Sequence, residues 1–213
     1  LTHARRTSPT ATDTDGRVEL GDGPLVAICM PTTAGAPDLP GALAETTALA
    51  ARFPGQIDVL TGEQATRQAV LDRLPTARWT HFACHGTASL TDPSQSQLLL
   101  ADQPLTVLDL TRRHLHHAQL AFLSACETAR PSAQLTDEAI HLASAFQLAG
   151  YRHVIATLWP INDITAVEVA GSIYAALADG TAPAAAVHQT VRNLRDYLPR
   201  APSVWASHLH TGA

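Results

Sequence analysis

Short apolar runs alternate along this chain with segments of helical composition, and this alternation restricts the possible folds more than any other feature. The runs lie at 24–31, 57–62, 79–86, 118–126 and 152–160. Each is bounded by Gly, Pro or polar residues, which is typical of a buried strand. Helical segments between such strands favour right-handed crossovers. The sequence therefore predicts a three-layer α/β domain, with a mostly parallel central sheet and helices on both faces.

The remaining segments complete this predicted order. Helices are expected at 38–53, 63–74, 135–151, 162–180 and 181–198. Thr61 or Gly62 is the predicted start of the second of these helices. A short strand, a turn and a short helix are expected within 98–115, and the closing "SVWASHLHTG" is predicted to be the last strand.

Length and charge restrict the class of protein. The 213 residues are 46% hydrophobic, which is sufficient for one domain; we place it at 18–213, after a flexible leader at 1–17. A net charge of −5 lacks the basic excess that binding to nucleic acid requires. No apolar run reaches the roughly 18 residues of a membrane span, so a soluble protein is expected.

Three cysteines are present, Cys29, Cys84 and Cys126. Each lies in or at the end of an apolar run, where a thiol commonly packs as a small hydrophobe. Their odd number argues against a disulfide framework, and the cytoplasm is the expected compartment. Because Cys29 lies inside a predicted strand and Cys84 is expected to point away from His85, we interpret both as structural thiols.

Two predicted strands end on residues that carry chemistry. "WTHFACHG" ends on His85 and Gly86, and "AQLAFLSAC" ends on Cys126. In parallel α/β sheets, sites form at the carboxyl ends of neighbouring strands. An imidazole beside a thiol raises the thiolate fraction and can protonate a leaving amine. The backbone N–H groups of Gly86 and Cys126 are candidates for an oxyanion hole.

Four sequence blocks then resemble those of a known family. "HFACHG", "FLSACET", "AFQLAGYRHVIATLWPINDITA" and "VWASHLH" resemble, in order and spacing, the CHAT family of caspase-like domains that often accompany tetratricopeptide repeats. The resemblance implies the fold of caspases, separases and gingipain-like peptidases. It also implies a cysteine endopeptidase with His85 as base and Cys126 as nucleophile. Ala129-Arg130-Pro131 departs from the family, in which many members have Gly after "ACET".

Four further residues are candidates for substrate binding. Asp163 follows the fifth strand and could select a basic P1 side chain, although an N-cap or first-turn role in the next helix is the favoured interpretation. Glu127 could line the entrance of the P1 pocket. Trp159 is a candidate wall of the cleft or core residue, and Ser124 a candidate to position His85.

Other histidines are interpreted without a catalytic or metal-binding role. His81 is predicted to be a packed or hydrogen-bonded core residue. His114, His116 and His117 lack a nearby cysteine or carboxylate to complete a zinc site, so neither metal nor cofactor is expected.

The sequence predicts, first, an endopeptidase that acts on a protein or peptide and is controlled by a sensor or partner outside these residues. Its loops at 87–97 and 127–136 are candidates for ordering on activation. The alternatives are a catalytically silent interaction module and a small-molecule acyl hydrolase that uses the same dyad.

Overall fold

A computed structural model of the chain describes residues 23–87, 96–124, 135–159 and 161–212. The predicted leader lies outside these ranges. The strands are β1 (Leu25–Cys29), β2 (Ile57–Thr61), β3 (Trp79–Ala83), β4 (Gly86–Thr87), β5 (Gln97–Leu98), β6 (Leu105–Thr106), β7 (Leu120–Leu123), β8 (His153–Thr157) and β9 (His208–Gly212). The α-helices are α1 (Pro40–Arg52), α2 (Arg67–Arg73), α3 (Val107–Thr111), α4 (Leu135–Ala149), α5 (Asp163–Ala178), α6 (Pro183–Tyr197) and α7 (Pro202–Trp205).

Six of these strands form the central sheet, in the order β2-β1-β3-β7-β8-β9. The first five run parallel, and β9 pairs with β8 in the antiparallel sense. Every residue of β1, β3, β7 and β8 is buried, as expected when helices cover both faces of a sheet. The prediction of a mostly parallel sheet is confirmed.

Side chains that alternate along the strands divide the core into two layers. On one face Trp79 and Phe122 pack against α1, α5 and α6. On the other face Phe82 and Val154 pack against α2, α3 and α4. The three-layer prediction is therefore confirmed, and the odd-numbered residues of β3 share the α1 face with Trp79.

The strand predicted at 79–86 is two strands. β3 ends at Ala83, whose carbonyl accepts from Met30 N (2.9 Å). Three residues later Gly86 pairs with Leu98 of β5, within a separate three-stranded sheet of order β4-β5-β6. The chain therefore leaves the central sheet between Ala83 and Gly86, and His85 lies at this transition.

Two further boundary predictions were wrong. Helix α2 begins after Thr66, whose hydroxyl accepts from Ala69 N (3.2 Å), because Gly62–Gln64 form a 3₁₀ turn of their own. The closing segment begins with the short helix α7, and the strand β9 starts only at His208.

Among the described residues, no helix is long and apolar enough to cross a membrane.

Candidate active site

His85 lies two residues beyond the carboxyl end of β3, with only 1% of its surface exposed. Its Nε2 is 2.7 Å from the backbone carbonyl oxygen of Pro37, in the segment that leads into α1. Because a carbonyl oxygen only accepts, Nε2 carries the proton in this contact. In the neutral ring Nδ1 is then the basic nitrogen, so the Pro37 carbonyl fixes both the orientation and the tautomer of the imidazole.

The strand that leads to Cys126 lies directly beside the strand that carries His85. β3 and β7 pair in register, with Phe82 opposite Leu123. Ser124 follows Leu123 and is the last described residue before the predicted nucleophile. Cys126 and Glu127 lie outside the described residues. Gly86 begins β4, and its predicted oxyanion role stays a prediction.

A crevice of about 210 Å³ opens above the carboxyl ends of β3, β7 and β8. It is lined by Pro37, Asp38, Leu39, Ala42, Glu45, Ala83, Ser124, Thr157, Ile161, Asp163 and Ala166. Its described lining contains three carboxylates and no arginine or histidine side chain. Because Pro37 lines the crevice and its carbonyl also accepts the hydrogen bond from His85 Nε2, the crevice lies next to the candidate base.

Asp163 lines this crevice but does not cap its own helix. The N-cap of α5 is Asn162, whose side chain accepts from Ile164 N (2.8 Å). Asp163 is the first helical residue, and its Oδ2 accepts from Gly41 N (3.1 Å) in the first turn of α1. Asp163 is therefore a first-turn residue of α5, one of the two helix-start roles expected for it, and its carboxylate also joins the starts of α1 and α5 at the crevice.

Glu45 is a crevice residue that the sequence analysis missed. It is only 4% exposed, and its Oε1 accepts from the Ser124 hydroxyl (3.0 Å). Its Oε2 lies 3.0 Å from Nε2 of His81. The helical repeat indicates that Glu45 is buried, because residue 45 shares a face of α1 with Ala42 and Leu49, which are both buried.

Ser124 therefore contacts Glu45, and its proposed contact with His85 stays a prediction. His81 is fully buried and also lies with Nδ1 3.3 Å from the hydroxyl of Tyr174. The prediction of a hydrogen-bonded core histidine is confirmed. The three side chains Ser124, Glu45 and His81 form a polar cluster below the crevice, which connects β7 and β3 to α1.

The two described cysteines are buried core residues, as predicted. Burial raises the pKa of Cys84 and, with opposing hydrogen bonds from Thr46 and Thr61, that of Cys29. A raised pKa keeps each thiol protonated near neutral pH, and a protonated thiol is a poor nucleophile.

Trp159 lies outside the crevice lining. Its indole N–H donates to the carbonyl oxygen of Ser203 (2.7 Å), which fixes the segment after β8 to α7.

The rings of His114 and His116 have centroids 6.4 Å apart. Within the part of the chain that the structure describes, no three potential ligands are grouped to hold a metal ion.

The fold is thus a three-layer α/β domain with a histidine just beyond the end of a central parallel strand. The sequence profile of the CHAT domain matches residues 2–213, so the chain belongs to the CHAT domain family. No manually curated protein shows significant similarity to the chain.

Several solved structures share the fold, among them a cysteine proteinase. The complex of the pro- and mature domains of Porphyromonas gingivalis RgpB superposes with a TM-score of 0.58 at 12% identity, over 89% of this chain and 47% of that one. The Arg-specific cysteine proteinase gingipain R gives 0.57 at 12% identity, over 89% and 46%. The Saccharomyces cerevisiae separase–securin complex gives 0.59 at 14% identity, over 92% and 12%. The chain thus spans less than half the length of each.

Proposed function

We propose that the chain is a cysteine endopeptidase in which Cys126 is the nucleophile and His85 the general base. The register of the two strands is the main support. Phe82 pairs with Leu123, an offset of 41 residues (123 − 82). His85 and Cys126 are separated by the same 41 residues (126 − 85). The chain leaves the central sheet after Ala83, but both residues follow the carboxyl ends of these paired strands, where neighbouring parallel strands direct the residues that follow to the same edge of the sheet.

The proposed reaction follows from the tautomer of His85. Nδ1 accepts the thiol proton of Cys126 as the sulfur attacks the scissile carbonyl carbon. Backbone N–H groups of Gly86 and Cys126 stabilise the oxyanion. The imidazolium then protonates the departing amine, and water hydrolyses the thioester with His85 again as base. Throughout, the Pro37 carbonyl accepts a hydrogen bond from Nε2–H, which keeps Nδ1 directed to the thiol of Cys126.

The substrate is proposed to be a protein with a basic P1 residue. Asp163 lines the crevice beside His85, and its carboxylate can form a charge-assisted hydrogen bond with a cationic side chain. Gingipain R, which shares the fold, is described as Arg-specific. Glu127 remains a candidate for the entrance of this pocket.

The peptidase activity is proposed to be controlled by a regulatory partner or a tetratricopeptide-repeat region.

The test is cleavage of a fluorogenic peptide library by the wild-type chain and by Cys126→Ala and His85→Ala. Cys126→Ala should abolish cleavage, and His85→Ala should lower kcat by about 100-fold or more, the usual contribution of a general base. Cys84→Ala is the matched control and should remain active.

Two outcomes contradict the proposal. Equal activity of Cys126→Ala and wild type would assign the cleavage to another group. A wild-type chain that cleaves no peptide and reacts with no acyloxymethyl-ketone probe, even with its natural partner, would favour the silent interaction module.

A further inference from the structure

We infer that Glu45, a buried carboxylate of α1, is a positioning residue that fixes the end of β7 through the hydroxyl of Ser124. The inference deepens the proposed peptidase function and rests on it, because Cys126 follows Ser124 by two residues. Glu45 then acts on the reaction through the backbone that leads to the nucleophile, without touching the substrate.

The carboxylate of Glu45 is held from two sides. Its Oε1 accepts from the hydroxyl of Ser124 (3.0 Å), and its Oε2 lies 3.0 Å from Nε2 of His81. Oε2 and Nε2 are both fully buried and have no hydrogen-bond partner elsewhere among the described residues, so each is the polar partner of the other. Because a carboxylate oxygen only accepts, Nε2 carries the proton in this contact. One side chain of α1 thus joins the strands β3 and β7.

The ring of His81 is itself held by α5. Its Nδ1 lies 3.3 Å from the hydroxyl of Tyr174, which is fully buried. Burial, together with the negative charge of Glu45, raises the pKa of Tyr174, so the phenol keeps its proton and donates to Nδ1. This tautomer leaves Nε2–H directed to Glu45. The carboxylate that receives Ser124 is therefore oriented by a histidine of β3 that α5 holds in place.

The contact with Ser124 lies where β7 ends, one residue after the strand. Phe122 packs in the layer of α1, and Ser124, two residues further on, contacts α1 in the same layer. In an extended chain Cys126 shares this side, because side chains alternate along a strand. The carbonyl that orients His85 belongs to Pro37, in the segment that leads into α1. The anchor at Ser124 therefore keeps the thiol on the side of the sheet where the base lies.

The energetics favour a positioning role over a stabilising one. A buried ion pair loses its hydration on folding, and its replacement by apolar side chains is often neutral or stabilising. A buried polar network whose members are paired instead holds its side chains in one arrangement. At the end of a strand that leads to a nucleophile, such a network affects the rate, because a misplacement of about 1 Å can lower the rate by about 100-fold.

Steady-state cleavage and iodoacetamide labelling of variants test the inference. Ser124→Ala should lower kcat by about 10-fold or more and slow the alkylation of Cys126, while KM changes less than kcat. Ser124→Thr keeps the hydroxyl and should retain most of both rates. Glu45→Leu should resemble Ser124→Ala, and Glu45→Gln, which keeps one acceptor oxygen, should lie between Glu45→Leu and the wild type. The losses of Ser124→Ala and Glu45→Leu should not add in the double variant, since the two residues act through one contact.

Thr46→Val is the matched control. Thr46 is the buried neighbour of Glu45 on α1, and its hydroxyl donates to the carbonyl oxygen of Ala42 (3.0 Å) within the same helix. The variant also removes one buried hydroxyl, but it removes no contact with β7, so kcat and the labelling rate should stay close to the wild-type values. Urea unfolding of each variant shows whether the compared chains are folded and how much stability each has lost.

A wild-type kcat for folded Ser124→Ala would overturn the inference and leave the peptidase function intact. Equal losses of kcat in Ser124→Ala and Thr46→Val would also overturn it, because both would then follow from lost stability. A wild-type chain whose Cys126 is alkylated no faster than Cys29 or Cys84 would instead reject the proposed dyad, and the inference with it.

Discussion

At the scale of single residues, Asp163 reaches the crevice because residue 41 has no side chain. A Cβ built on Gly41 would lie 2.9 Å from Cβ and 3.1 Å from Cγ of Asp163. Real Cβ atoms rarely approach another heavy atom so closely, and both helices would have to shift. The glycine therefore permits the hydrogen bond from its own N–H to Asp163 Oδ2.

Gly41→Ala should displace Asp163 and destabilise the fold by about 1–3 kcal/mol, the usual cost of overpacking. It should also weaken selection for a basic P1 residue. Urea unfolding and cleavage of paired arginine and norleucine substrates measure the two effects.

Gly171→Ala is the matched control, since Gly171 lies in α5 and a Cβ built on it meets no atom of another element within 4 Å. It should leave the selection unchanged and alter stability by at most about 1 kcal/mol in the favourable direction, because alanine has the higher helix propensity. If Gly41→Ala behaves in the same way, the close approach to Asp163 does not matter.

At the scale of elements, the joint between β8 and β9 contains three histidines beneath α6. His153 Nδ1 lies 3.0 Å from His210 Nε2, and His208 contacts Phe122. Burial lowers the pKa of His153, with smaller contributions from His210 and Arg152, to about 4. Burial alone lowers the pKa of His208 to about 4 and also lowers that of His210.

These shifts predict an acid-sensitive joint. A histidine that ionises near pH 6.5 in the unfolded chain and near pH 4 in the folded chain gives its full stabilisation above about pH 6.5. That contribution is lost as the pH falls from about 6.5 to about 4, because the unfolded state then binds more protons.

The free energy of unfolding should therefore be at least about 1 kcal/mol lower at pH 5 than at pH 7.5, since one pKa unit corresponds to about 1.4 kcal/mol. Urea titrations at the two pH values measure this difference. His208→Asn should reduce the difference, whereas His188→Asn, at an exposed position of α6, should not. An equal free energy at both pH values for the wild-type chain would rule out buried neutral histidines.

At the scale of the whole molecule, the topology places β3 between β1 and β7, so the end of a central strand carries the candidate base. Every element that meets the crevice comes from a different part of the chain. Glu45 lies on α1, Ala83 ends β3, Ser124 follows β7 and Asp163 begins α5. The site therefore forms only when the parallel sheet has been completed.

The sequence predicted the strands and long helices well, because their apolar runs and Gly or Pro boundaries are local signals. The same local signals placed His85 near the carboxyl end of β3, although they did not show that the chain leaves the central sheet after Ala83. The sequence missed Pro37, which acts through a backbone carbonyl that any residue possesses. It also missed Glu45, because glutamate is usually exposed and its burial depends on contacts with β3 and β7 that are distant in the chain.

The relative alkylation rates of the three cysteines test the central claim most directly. In the wild-type chain near neutral pH, iodoacetamide should modify Cys126 at least about 10-fold faster than Cys29 or Cys84, because a nearby imidazole raises the thiolate fraction. His85→Ala should remove most of this advantage, whereas His188→Ala should retain it. Equal rates for all three cysteines in the folded chain, or a Cys126 rate that does not respond to His85→Ala, would contradict the pairing of His85 with Cys126.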